Sequence, residues 1–230
     1  MRPEKLKVFR NMFFDEVNGI VISSIPLVAF LSVFMGGVIS LQTAANMSSP
    51  LLPDYTIGYI TRSSTILEFS PTIISLILAG KVGSNIASEI GTMRVTEQID
   101  ALEIMGVNSI GYLMAPKIIS TTIFLPFVVI ISMVLSIVGG WIAGVQSGLY
   151  STNTYLIGLR AFWHTDAWYV WYALTKTVVF GFLITSIACY FGYYTKGGSL
   201  EVGRSSTKAV VAASVAILLA NYVITQLLLV

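Results

Sequence analysis

Two charge-free runs constrain this chain more than any other feature: residues 17–53 and 118–159 contain no Asp, Glu, Lys or Arg. Each exceeds the roughly 20 apolar residues that carry a helix across the hydrocarbon of a bilayer. In that medium only helices and closed barrels satisfy their own backbone hydrogen bonds. Further apolar segments at about 55–80, 168–194 and 209–230 extend the pattern, so the expected fold is all-α and polytopic, with five transmembrane helices. Composition agrees, with 55% hydrophobic and 10% charged residues, against about 25% charged in soluble domains. A net charge of +2 is too small a basic excess to point to nucleic acid.

Taken in order, residues Leu6 to Ile20 read as an interfacial helix. Val8, Phe9, Met12, Phe13, Val17 and Ile20 recur at helical spacing, with Arg10, Asp15, Glu16 and Asn18 on other faces. Asp15 and Glu16 interrupt before any apolar core, so no cleavable signal peptide is expected. The spans are expected at about 26–47, 55–80, 118–145, 168–194 and 209–230, making the whole of 1–230 one integral membrane domain. Pro50 and Pro53 mark a tight turn over Ser48–Asp54, Gly148–Asp166 reads as a polar loop, and Lys196–Lys208 as a Gly/Ser-rich turn. Ten basic residues (Arg2, Lys5, Lys7, Arg10, Lys81, Arg94, Lys117, Lys196, Arg204, Lys208) fall on one side, and only Arg160 on the other. The bias of Lys and Arg toward cytoplasmic loops then expects a cytoplasmic N-terminus and an extracytoplasmic C-terminus. Trp163, Trp168, Tyr169, Trp171 and Tyr172 fit an aromatic belt at the outer interface.

The region of about 81–117 is the longest polar interval. Within it Thr96 is expected to N-cap a short helix over Glu97–Met105, its hydroxyl accepting from an amide two or three residues on. Glu97 and Asp100 then complement the positive helix end, and Gly106 suits the left-handed residue that closes it. Val95, Ile99 and Leu102 are expected to pack inward, leaving Glu97, Asp100 and Glu103 more exposed. On residue pattern alone, such a helix is equally a docking element or a plain connection.

No enzyme site emerges. Gly80-Lys81 is followed by Val82 and lacks the spacing of a phosphate loop. With one His (His164) and one Cys (Cys189), neither a metal cluster nor an internal disulfide is expected. Gly140, Gly144 and Gly148 repeat at the spacing that lets two helices approach closely. Arg62, Glu68 and Lys176 lie inside expected spans, where a charge costs about 2.5–3.5 kcal/mol and normally faces a cavity or a partner. Arg62 and Lys176 are near enough to the far side to snorkel to headgroups, whereas Glu68 is deeper and shorter. Pro71, with no amide hydrogen, is expected to leave the Leu67 carbonyl unpaired and open the helix wall beside Glu68. Phe69, with Leu41 and Gln42 late in the first span, is expected to line that opening with Glu68, and Lys176 to offer positive charge to a cavity or partner.

Three stretches carry a family resemblance. Glu89-Ile90-Gly91-Thr92-Met93-Arg94-Val95-Thr96-Glu97-Gln98-Ile99-Asp100-Ala101-Leu102 resembles the signature of the MlaE/YrbE-type permeases, the membrane subunits of ABC lipid transporters that work with MCE-domain proteins. Ala79-Gly80-Lys81-Val82-Gly83-Ser84 is similar to that family's A-G-[RK]-x-G-S, and Glu68-Phe69-Ser70-Pro71 to its E-[LF]-x-P element near the lipid pocket. Many relatives carry Arg before that Glu, where Leu67 stands here, and some carry Asp where Asn221 stands. Lys176 matches a basic residue of the fourth span.

The resemblance implies a permease that moves lipid, a phospholipid above all, between the inner membrane and an extracytoplasmic MCE-domain partner. It also implies a homodimer served by an ABC ATPase, with ATP and Mg in that partner and no cofactor in this chain. The segment around Glu97–Met105 becomes a coupling helix on the ATPase, with Arg94, Glu97, Asp100 and Glu103 as coupling residues. The alternative is a stand-alone secondary transporter or channel with the intramembrane charges as ion sites. Internal repeats, frequent in that class, are not found.

Overall fold

The computed structural model describes residue 10 and residues 12–47 and 53–229, and every regular element among them is helical. In chain order these are α1 (Met12–Asn46), α2 (Thr56–Val95), the short α3 (Gln98–Ile104), α4 (Ile110–Gln146), the short α5 (Thr152–Arg160), α6 (Trp163–Tyr193) and α7 (Ser199–Leu228). The five long helices α1, α2, α4, α6 and α7 are each long and apolar enough to cross a membrane, and the chain is an all-α polytopic membrane protein.

The helices overrun the expected boundaries for local reasons. The expected interfacial helix and first span are continuous in α1, joined by a π-turn at Val17–Val21 and a 3-10 turn at Ile22–Ser24. Residues 6–9 and 11 of that helix, and 48–52 of the expected Pro turn, lie outside the described residues. Helix α2 does not stop near Gly80 but continues to Val95. Pro71 does not break it, because the helix widens into a π-helix over Thr65–Ile73, and a second π-turn spans Ala79–Gly83. Widened turns absorb residues that would interrupt a regular ladder. Helix α7 starts at Ser199, so the expected turn over Lys196–Lys208 shrinks to residues 194–198. The stretch after Gly198 contains no proline to prevent helix.

The chain packs as two compact units. One combines the described part of Met1–Ser24 with Ser75–Pro126 and Lys176–Val230. Its core is the C-terminal part of α2 against α7: Ile86, Ala87 and Ile90 are buried, as are Ala209, Ala213 and Ile217. The Ser206 hydroxyl donates to the Ser84 carbonyl at 3.1 Å.

The second unit combines Ile25–Ile74 with Phe127–Thr175. Here α1 and α4 approach through glycines. A Cβ on Gly140 would lie 3.2 Å from the Gly36 carbonyl oxygen, and one on Gly144 would overlap the Tyr150 ring. The glycine series therefore packs within this unit, but its third member does not take part. Gly148 has φ +71 and ends α4 in the left-handed conformation. A hydroxyl chain links three helices, Ser32 donating to Ser132 at 2.8 Å and Ser132 to Ser70 at 3.2 Å. Tyr150 and Tyr155 stack at 5.3 Å and bury Ile57 with them.

Candidate functional site

The connection between α2 and α4 is built on side-chain bonds within the first unit. Thr96 does not N-cap α3. Its hydroxyl donates back to the Thr92 carbonyl at 2.8 Å and so closes α2. The reversal falls on Glu97, at φ +60 with no side-chain cap. A non-glycine residue reaches that conformation only under constraint, so Glu97 is a bend rather than a first-turn charge. Asp100 does sit in the first turn of α3, where Arg94 Nη1 donates to it at 2.5 Å. The Arg94 guanidinium also lies 5.6 Å over the Tyr193 ring at the end of α6.

Tyr193 and Ser109 both donate to Glu103 Oε1, each at 2.8 Å. The Ser109 bond first and the Tyr193 bond second hold the Glu103 carboxyl below the usual carboxylate range. Its contribution is therefore present at neutral pH and fades only as pH falls through that lowered value. Ile99 is fully buried, while Val95 and Leu102 are half-buried. Gly106, at φ +74, closes α3 as expected, and the Val107 amide donates to the Leu102 carbonyl at 3.0 Å. Just before it, Ile104 and Met105 project outward, 87% and 68% exposed. A cavity of about 420 Å³ opens beside them, lined in part by Glu103, Asn108, Ile110 and Tyr193.

The intramembrane charges are placed differently from expectation in two cases. Arg62 does not snorkel. It is 2% exposed and ion-paired to Asp166, and its Nη1 donates to the carbonyls of Leu159 at 2.5 Å and Ala161 at 2.9 Å. Lys176 does not snorkel either, being fully buried within α6. Glu68 is half-buried in the π-helix and accepts from the Thr72 hydroxyl at 3.2 Å, one turn on. Phe69, in the same π-helix, is half-buried, whereas Leu41 and Gln42 are exposed late in α1. These four belong to the second unit and Lys176 to the first. In the first unit Lys117 is buried and donates to Glu16 at 2.5 Å and Glu89 at 2.8 Å, tying α4 to α1 and α2. Among the described residues no cluster of His, Cys, Asp and Glu could hold a metal.

Residues 13–227 match the family model described as Permease MlaE. The chain belongs to the MlaE permease family. It is 41% identical to a probable ABC transporter permease protein of Rickettsia bellii, over 89% of this chain and 78% of that one. To a probable ABC transporter permease protein of Synechocystis it is 34% identical, over 96% of this chain and 83% of that one. It is 32% identical to the chloroplastic protein trigalactosyldiacylglycerol 1 of Arabidopsis thaliana, over 88% of this chain and 57% of that one. The chain is therefore a transport component of an ABC transporter, which implies an ATPase partner, and the stand-alone alternative gives way.

Sequence reading of this MlaE-family permease missed several partners. Asp166 stands 104 residues from Arg62, a pairing no local spacing reveals. Tyr193, which joins Arg94 and Glu103, likewise comes from another helix. The projection of Ile104 and Met105 was not read from the sequence either, although two apolar residues directly before a closing glycine in a polar interval are the signal that could have found it.

Proposed function

We propose that this permease moves lipid, a phospholipid above all, between an inner membrane and an extracytoplasmic MCE-domain partner. In this reading it works as a homodimer with two ABC ATPase subunits that hold ATP and Mg. The N-terminus and α3 face the cytoplasm, and the C-terminus faces away from it. The observation that carries the reading is the exposed Ile104–Met105 tip of α3, set on a frame that Arg94, Tyr193 and Glu103 tie to α2 and α6. A projecting apolar pair anchors well in a partner's groove, and the bonded frame passes its displacement into two long helices. Ile104→Asp with Met105→Asp should weaken co-purification of the ATPase by roughly 30-fold, the size of a hot-spot loss of at least 2 kcal/mol. Insertion should be unchanged, because neither side chain packs in the protein. Glu97→Lys with Asp100→Lys provides a second arm. Undiminished ATPase association in both variants would remove the docking role.

The lipid assignment draws on the family, on the Arabidopsis relative whose name carries a glycolipid, and on the half-buried Glu68. A carboxylate at this depth is costly against acyl chains and tolerable beside a polar headgroup or water. Glu68→Leu should leave insertion and ATPase association intact and change the lipid bound or its transport rate. A photo-crosslinker at Phe69 should capture lipid. Normal transport by Glu68→Leu, with no lipid adduct at Phe69, would reduce Glu68 to a structural partner of Thr72.

A further inference from the structure

The join between α6 and α7, within the first unit, holds a cavity that neither the transport path nor the coupling surface uses. It measures about 260 Å³, and its lining includes Tyr190, Tyr194, Lys196, Glu201, Ser205 and Lys208. Tyr190 and Tyr194 are both exposed, with ring centroids 4.9 Å apart. The polar wall is largely committed already. Ser205 Oγ donates to the Phe191 carbonyl at 2.6 Å, and Glu201 Oε1 accepts from Arg204 at 2.6 Å. Lys196 and Lys208 take no part in the ion pairs that hold Arg94, Lys117 and Arg204 in this unit. With Glu201 offset by Arg204, the cavity presents two lysine ammoniums and a net positive charge.

Its position narrows the ligand. The cavity lies where α6 ends at Tyr193 and α7 begins at Ser199, in the polar join between the fourth and fifth spans expected from the sequence. Exposed tyrosines at such a join sit among headgroups, and lysine stems follow apolar surface while their ammoniums reach polar ligands. An ammonium is a point charge that donates to a phosphate oxygen without fixed geometry. The volume falls below the about 300–1,000 Å³ of pockets for drug-sized molecules, so a headgroup fits and acyl chains stay outside. Leu200 and Val211, both exposed on α7, offer them apolar surface.

We infer that the α6–α7 cavity binds the phosphate of an anionic phospholipid headgroup, as a site separate from the lipid path proposed above. Lys196 and Lys208 supply the attraction, the two tyrosines hold the headgroup at the interface, and occupancy tethers the start of α7 to one leaflet. Transport can fail while this binding stands, and binding can fail while transport stands.

The test uses the full chain in nanodiscs of phosphatidylcholine with and without phosphatidylglycerol, followed by native mass spectrometry of the lipid retained. Wild-type protein should retain phosphatidylglycerol in preference to phosphatidylcholine, less so at high salt. Lys196→Gln with Lys208→Gln should cut that preference by about fivefold for each lysine removed, whereas Lys196→Arg with Lys208→Arg should keep it. Glycerophosphate and inorganic phosphate distinguish the source. If either displaces the lipid at equal concentration, the cavity is a soluble-phosphate site and the lipid assignment is overturned. An unchanged preference in the double Gln variant overturns it as well, and shows that the retained lipid is held elsewhere.

Discussion

Arg62→Met lowers the stability of this permease by about 3–5 kcal/mol, the cost of breaking a buried ion pair from one side. The argument rests on what the variant leaves behind. Asp166 is buried and ion-paired to Arg62, so a neutral residue at 62 strands a carboxylate away from water. The same guanidinium satisfies the carbonyls of Leu159 and Ala161 at the end of α5. It also lies 5.2 Å from the Tyr59 ring and 5.5 Å from the Trp163 ring, in the range of cation–π attraction. One side chain thus fastens α2 to the end of α5 and the start of α6. Removing both charges, with Arg62→Met and Asp166→Leu together, should recover much of the loss, because no charge remains stranded. The part of the deficit that remains is the loss of the donor to the two carbonyls. Thermal unfolding of the purified protein in detergent measures all three proteins. A single variant that melts with the wild type would show that Arg62 carries no such burden. A double variant that melts lower than the single would show that packing, not stranded charge, is the cost.

That prediction could not have been written from the sequence, and the reason is physical. Span number and helical class are set by the free energy of apolar surface and of backbone groups in lipid, which depends on local composition, so the five long helices were legible. Gly106 was legible too, because a left-handed closing residue is a local demand that glycine meets. The fate of Arg62 and Lys176 was not. Distance along their own helices suggested that both reach the outer surface, yet both are buried, and burial depends on neighbours remote in sequence. Lys117 was counted simply as a basic residue of a polar region, but Glu16 and Glu89 enclose it. The cap at Thr96 failed for a subtler reason. Its hydroxyl had two local uses, and bonding back to Thr92 prevailed once Glu97 took the left-handed bend. The second span was expected to stop too soon, because π-turns let α2 run through Pro71 and past Gly83, whereas α4, α6 and α7 begin before the expected residues 118, 168 and 209.

The glycine contacts of the second unit give a graded expectation in which the environment of each missing Cβ fixes the rank. A Cβ on Gly36 would lie 1.7 Å from the Ser136 carbonyl oxygen, and one on Gly139 would lie 2.1 Å from the Val33 carbonyl oxygen. Both obstacles are backbone, which has no rotamer to yield, so α1 and α4 must separate to admit either methyl. Overpacking typically costs about 1–3 kcal/mol, and these two substitutions belong at or above the top of that range. Separation would also stretch the hydroxyl chain in which Ser32 donates to Ser132 and Ser132 to Ser70, adding a loss that a local clash alone would not produce. Gly37→Ala meets the Ala143 methyl at 3.2 Å and the Gly139 carbonyl oxygen at an ordinary 3.6 Å, and should be mild. Gly80→Ala meets nothing within 4 Å and should be neutral or gain up to about 1 kcal/mol of helix propensity. The order of melting temperatures in detergent should therefore run Gly36→Ala lowest, then Gly139→Ala, then Gly37→Ala, with Gly80→Ala at or above the wild type. If the stretched hydroxyl chain adds to the loss, Ser32→Ala should cost less in the Gly36→Ala background than in the wild type. Equal melting of Gly36→Ala and Gly80→Ala would show that α1 and α4 do not meet through their backbones.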